Sequence, residues 1–146
     1  MDLLNEIPTA PALAQKSTRV FAALIDFIIL MLGCYLIAHF SGQTYSEDGR
    51  IGFNLTGMPA FIALLFAFLL LPVIEGLTGQ TLGKKIFKIQ VVKNDFTKVS
   101  LGASVVRHLF DAIDCFLLIG LIVASTNPNK QRIGDLVAKT FVVTKR

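Results

Sequence analysis

The chain has 146 residues, enough for one domain, and 53% of them are hydrophobic. Mean hydropathy is +0.66 and the apolar residues gather in blocks, so the chain reads as a single integral membrane domain rather than a soluble protein. The net charge is +4, but the lysines flank apolar spans and no recognised nucleic-acid-binding motif accompanies them, which argues against nucleic acid as a partner.

Residues 1–18 are polar and punctuated by Pro8 and Pro11, with a short interfacial helix expected around Ala10–Gln15. Asp2 and Glu6 offset Lys16, and no small-x-small site follows the next apolar run, so the first span is expected to stay in the mature protein. That span, Arg19–Phe40, meets the requirement of about 20 residues for crossing a bilayer. It contains Asp26, although a charge at the bilayer centre costs about 2.5–3.5 kcal/mol on insertion scales. Arg19 shares a helix face with Asp26 but lies about 10 Å away along the axis, too far for an ion pair. Arg19 can snorkel to the interface. Asp26, on its short side chain, needs a cation, a donor or its own protonation. Two readings stay open for it: a structural bond that locks helices together, or a functional carboxylate.

Ser41–Gly57 is a glycine- and polar-rich loop. A second span is expected over Met58–Gly76, with Pro72 kinking or unwinding its end. In the segment that follows, Phe87, Ile89 and Val91 alternate with Lys88 and Gln90 at strand period. Asn94-Asp95 is a turn signal, after which FTKVSL could form a return strand. The spacing predicts that IFKIQVV and TFVVT (Thr140–Thr144) pair into a small sheet at the membrane surface. Between them lies Ser104–Thr126, polar in its first half, with only Cys115–Ala124 purely apolar. Ten residues of helix reach about 15 Å, half of the hydrocarbon core.

Charge asymmetry bears on that third segment. The first loop carries one basic residue, Arg50, whereas the connector carries Lys84, Lys85, Lys88, Lys93 and Lys98, and the tail Lys130, Arg132, Lys139, Lys145 and Arg146. The positive-inside rule puts both later segments in the cytoplasm. This favours two full spans plus a membrane-dipping third helical segment, with both termini inside; three true spans with a basic exterior tail is the alternative. The fold class expected is an all-α integral membrane protein with a small β element at its cytoplasmic surface.

Arg107, Asp111 and Asp114 fall on one helical stripe, with His108 beside them. Arg107 is the natural partner of Asp111 on the same helix or of Asp26 across helices. Three acids against one base leave a surplus of negative charge, which favours cation or proton handling; an ordinary amphipathic helix with a solvated face explains the stripe equally. GQTLGKK (Gly79–Lys85) suggests a phosphate loop but fails its spacing, which leaves a glycine-hinged connector whose Lys84, Lys85 and Lys88 meet lipid phosphates. Cys34 and Cys115 lack metal-ligand spacing, and no hydrolase or redox signature appears. Neither enzymatic activity nor a cofactor is expected.

The order RVFAALID, GQTLGKKIFKIQVV, VVRHLFDAID and KQRIGDLVAKTFVV resembles the RDD family of small bacterial membrane proteins, over about residues 16–144. The family is named for one arginine and two aspartates, which map to Arg19, Asp26 and Asp135. Lys139 departs from it, a glycine being commoner there. The resemblance implies a transport protein of unassigned ligand in the bacterial cytoplasmic membrane. Some members are described as exchanging sodium or other alkali cations for protons, and another branch as using the region to pack helices. Transport by two or three helices requires a homo-oligomer or a partner membrane protein. In that reading Asp26 carries the ion or proton, Arg107 tunes it, Asp111 and Asp114 extend the polar path, and Arg19 with Asp135 locks the cytoplasmic mouth. A scaffold subunit that packs on partner helices is the alternative.

Overall fold

The computed structural model describes residues 11–47, 49–117 and 131–145. Two of its helices are long and apolar enough to cross a membrane, Lys16–Phe40 and Gly57–Thr78. The first is α1, which ends where the Ser41 hydroxyl donates to the Ile37 carbonyl at 2.7 Å and Gly42 turns with φ +68°. The second is continuous but not uniform. It comprises α2 (Gly57–Phe68), a wide π-helical turn (Leu69–Val73) and α3 (Ile74–Thr78). Pro72 lies inside the wide turn. Proline lacks an N–H and its ring clashes with the carbonyl four residues back, and a wider turn absorbs both faults without ending the helix. Gly33 gives α1 a notch for the Phe66 ring of α2, since a Cβ there would overlap it.

The first loop is a hairpin rather than an irregular loop. β1 (Thr44–Glu47) pairs antiparallel with β2 (Arg50–Phe53), and Gly49 supplies a positive φ of 75° between them. Asp-Gly is a strong hairpin-turn dipeptide, so this element is legible in the sequence.

Gly79, at φ +77°, closes α3 by donating its N–H to the Glu75 carbonyl, and its own carbonyl accepts from Val91. The chain then forms α4 (Leu82–Ile86), so the strand expected from Ile86 begins later, as β3 (Ile89–Lys93). Thr81 caps α4 and diverts the lysines into helix before the β-branched run takes over. β3 pairs antiparallel with β4 (Thr140–Thr144), Val91 opposite Val142. The interfacial helix expected around Ala10–Gln15 is absent over its described residues. They run extended instead along the free edge of β4, the Ala14 N–H donating to Val142 and the Thr144 N–H to Ala12. Edge pairing satisfies backbone groups that a lone short helix would leave bare. The return strand considered for FTKVSL reduces to one bridge between Val92 and Lys98, because β4 takes one edge of β3 and on the other the Val91 N–H is already given to the Gly79 carbonyl.

Next, α5 (Leu101–Leu117) packs on α3 and the wide turn, with Gly76 allowing the Leu101 backbone to approach. The remainder of the third segment, residues 118–126, lies outside the described residues, as do the side chains of Asp114 and Cys115. A last short helix, α6 (Ile133–Val137), leads into β4. Ala22 of α1, Ile89 and Val91 of β3, Val142 of β4 and Val99 from the segment before α5 form the apolar core, with Ala14 and partly buried Phe87. That core sits at one end of the spans.

Lys139, between α6 and β4, holds φ +52°, a conformation that favours glycine. The departure noted in the sequence therefore falls where the backbone is strained. Lys139→Gly is expected to raise stability by about 0.5–1 kcal/mol, the left-handed strain removed outweighing the added chain entropy. A rise in thermal midpoint in detergent checks it.

Candidate functional site

The charged residues of the sequence converge under the sheet into one buried chain of ion pairs. Glu75, in the last turn of the second span, is completely buried. It pairs with Lys84 of α4, with Arg107 Nε at 3.1 Å, and accepts from the Ser104 hydroxyl at 3.3 Å. Arg107 reaches the other way through Nη1 to Asp135 Oδ1 at 2.8 Å and to Thr140 Oγ1 at 3.0 Å. Asp135 then meets Arg19 at 3.2 Å, and Arg19 donates as well to the Val142 carbonyl. Lys84–Glu75–Arg107–Asp135–Arg19 thus alternates in sign along its length and ties both spans, α4, α5 and α6 into one body.

Local structure sets each member. Asp135 accepts from the Arg132 N–H and so caps α6 with the same carboxylate that binds two arginines. Gly134 lets α6 sit against the Arg107 carbonyl, where a Cβ would come within 3.0 Å. Ser104 and Arg107 lie three residues apart on the buried stripe of α5, both turned toward Glu75.

Asp26 does something else. Its Oδ2 accepts from the Thr81 hydroxyl at 2.5 Å and its Oδ1 from the Gly83 N–H at 2.7 Å. GQTLGKK therefore does present backbone to an anion, but that anion is a carboxylate of its own chain. A Cβ on Gly83 would collide with the Ala22 carbonyl, so only glycine allows α4 to approach α1 this closely.

The family-pattern residues divide accordingly. Arg19 and Asp135 meet; Asp26 stands apart from them as the anchor of α4. Arg107 pairs with Glu75 and Asp135 rather than with Asp111 or Asp26, the partners expected from spacing. Asp111 is exposed enough to bind His108 Nδ1 at 3.0 Å and to face Arg132 at 3.9 Å. Burial opposes the His108 imidazolium, but Asp111, together with Glu75 at 3.6 Å, outweighs it and raises the His108 pKa above its ordinary value. The tally read from the sequence does not describe this site, because Arg107 pairs with Glu75 and Asp135, both outside that count, and Lys84 and Arg19 join them while Asp26 lies outside the chain of pairs. Lys84 turns inward to Glu75 and leaves the set expected to meet lipid phosphate; Lys85 and Lys88 remain exposed. Glu75 was missed because it ends a span, and nothing in local periodicity points to partners on α4 and α5. Its signal was composition alone: a carboxylate in an apolar block. Among the described residues no group of His, Cys, Asp and Glu is arranged to hold a metal ion.

Two apolar spans whose charges are sealed into a compact body at one end define a small multi-pass membrane protein. The RDD family model matches residues 13–139, and the chain belongs to that family. Neither a curated protein nor a solved structure matches it.

Proposed function

We propose that this RDD protein works as an assembly of several copies in the bacterial cytoplasmic membrane, exchanging a monovalent cation such as sodium for protons at Asp26. One observation carries the reading. Of the charged side chains buried within the spans, Arg19 and Glu75 are ion-paired, whereas Asp26 has no basic side chain within ion-pair distance among the described residues. A carboxylate keeps lone pairs beyond the two used by Thr81 and Gly83, and in a low-dielectric setting an unneutralised one attracts a proton or a cation. Two spans cannot enclose a path, so a second copy or a partner membrane protein supplies the remaining wall. The exposed apolar faces of both spans are consistent with that, Phe27 and Ile28 flanking Asp26 on α1 and Phe61 and Leu64 lying on α2. In this reading the lysine-rich body faces the cytoplasm with the N-terminus inside, and α5 dips into the interface.

The test is proton flux in proteoliposomes, read with a pH-sensitive dye during pulses of sodium, lithium and potassium. Wild-type protein is expected to give a cation-dependent signal. Asp26→Asn is expected to abolish it while the protein remains inserted, since the amide keeps an acceptor but has no proton or charge to exchange.

A second reading is a non-transporting scaffold that packs on partner helices. It is favoured by the two hydrogen bonds that tie both Asp26 carboxylate oxygens to the start of α4, as a structural anchor requires. Absence of flux from well-inserted wild-type protein would select it, and Asp26→Asn would then weaken association instead.

A further inference from the structure

Lysines that the ion-pair chain does not use gather elsewhere. A cleft of about 310 Å³ is lined by Gln80, Lys85, Lys88 and Lys145. Gln80 is buried and fixed by donating its amide to the Ile89 carbonyl at 2.7 Å, and its oxygen faces the Lys145 ammonium at 3.5 Å. Lys88 holds a left-handed backbone, φ +51°, and its carbonyl accepts the Lys145 N–H at 2.7 Å, which joins the end of β4 to the turn after α4. The fold therefore brings lysines from distant parts of the chain together at the expense of backbone strain. Among the described residues none of the three is ion-paired to an acid, in contrast to their neighbour Lys84.

Unpaired ammonium groups converging on a cleft select an anion with several acceptor oxygens, and phosphate fits that chemistry. The surroundings indicate its source. Ile86 and Leu82 on α4 are exposed on either side of Lys85, and exposed Phe21 of α1 stacks on Phe87 at 6.3 Å. Apolar surface continuous with a membrane span lies beside the lysines, as an acyl chain requires and a free ion does not. We propose that this cleft binds the phosphate of an anionic membrane lipid, with its acyl chains laid against Phe21 and Ile86. The site is independent of the transport reading.

Retention of added phosphatidylglycerol by the full-length protein in detergent, read by native mass spectrometry, tests it. Phosphatidylglycerol is expected to remain bound where phosphatidylcholine does not. Lys85→Gln/Lys88→Gln/Lys145→Gln is expected to lose about tenfold or more in retention, given the contribution of each lysine near an anionic lipid. The triple Lys93→Gln/Lys98→Gln/Lys139→Gln, with the same change in charge, is expected to retain the lipid. Equal loss in both triples, equal retention of phosphatidylcholine, or displacement by millimolar inorganic phosphate would overturn the proposal, the last by making the ligand a free anion. Lys145→Gln, placed just past β4, leaves every helix and strand intact and is expected to lose about threefold; unchanged retention there would overturn it even if the triple failed to fold.

Discussion

Arg107→Met is expected to destabilise the protein by about 3–5 kcal/mol, because it leaves two buried carboxylates without their shared partner. Glu75 would keep Lys84 and Asp135 would keep Arg19, yet each would lose its contact at 3.1 or 2.8 Å with the central guanidinium. Arg107 also holds Thr140 at the start of β4, so the loss propagates to the sheet. The check is thermal denaturation in detergent followed by a thiol-reactive dye, with buried Cys34 as reporter in a Cys115→Ser background. The cause is distinguishable from lost packing. Arg107→Met combined with Glu75→Gln and Asp135→Asn removes the uncompensated charge and is expected to recover part of the stability, since a neutral polar pair is cheaper to bury than a lone ion. If the triple variant were less stable than Arg107→Met by the full sum of its parts, charge compensation would not be the reason for the network.

Gly83→Ala is the second large effect, and it acts through shape. The added methyl would overlap the Ala22 carbonyl oxygen and press on the Asp26 carboxyl carbon at 3.0 Å. A backbone carbonyl inside a helix cannot rotate away, so α4 must lift from α1, and Asp26 then loses the Gly83 N–H. Overpacking and one lost charge-assisted bond together are expected to cost about 2–4 kcal/mol. Limited trypsin digestion reads this directly. Lys84, held against Glu75 in the wild type, should become a cleavage site in Gly83→Ala at temperatures where wild-type protein is intact. Cleavage at the same rate in both would mean that α4 tolerates the displacement.

These effects show where the sequence was informative and where it stopped. The spans were legible because lipid solvation demands long apolar runs, a property carried by each segment alone. The pairing of IQVVK with TFVVT was legible for a similar reason, since β-branched alternation is written locally. The extended edge strand over residues 12–14 was not, because Ala-Leu-Ala carries no strand signal and pairs only once β4 offers a free edge. The strand start misjudged at Ile86 reflects a local competition that the Thr81 cap decided.

For the site, spacing along one helix misdirected the reading. Arg107, Asp111 and Asp114 share a stripe, but a guanidinium seeks the most buried carboxylate within reach, and that is Glu75, thirty-two positions earlier. Arg19 and Asp135 were identified as family-pattern residues, while their contact across the molecule is a property of the fold. The sequence by itself determined that this chain enters a membrane, how long its spans are, and that charged groups must be hidden there. Only the tertiary structure decided which charges neutralise one another and which lie outside the ion-pair chain. The physical reason is that apolar periodicity is solved against solvent one segment at a time, whereas a buried charge is solved only by a partner whose position depends on every other element.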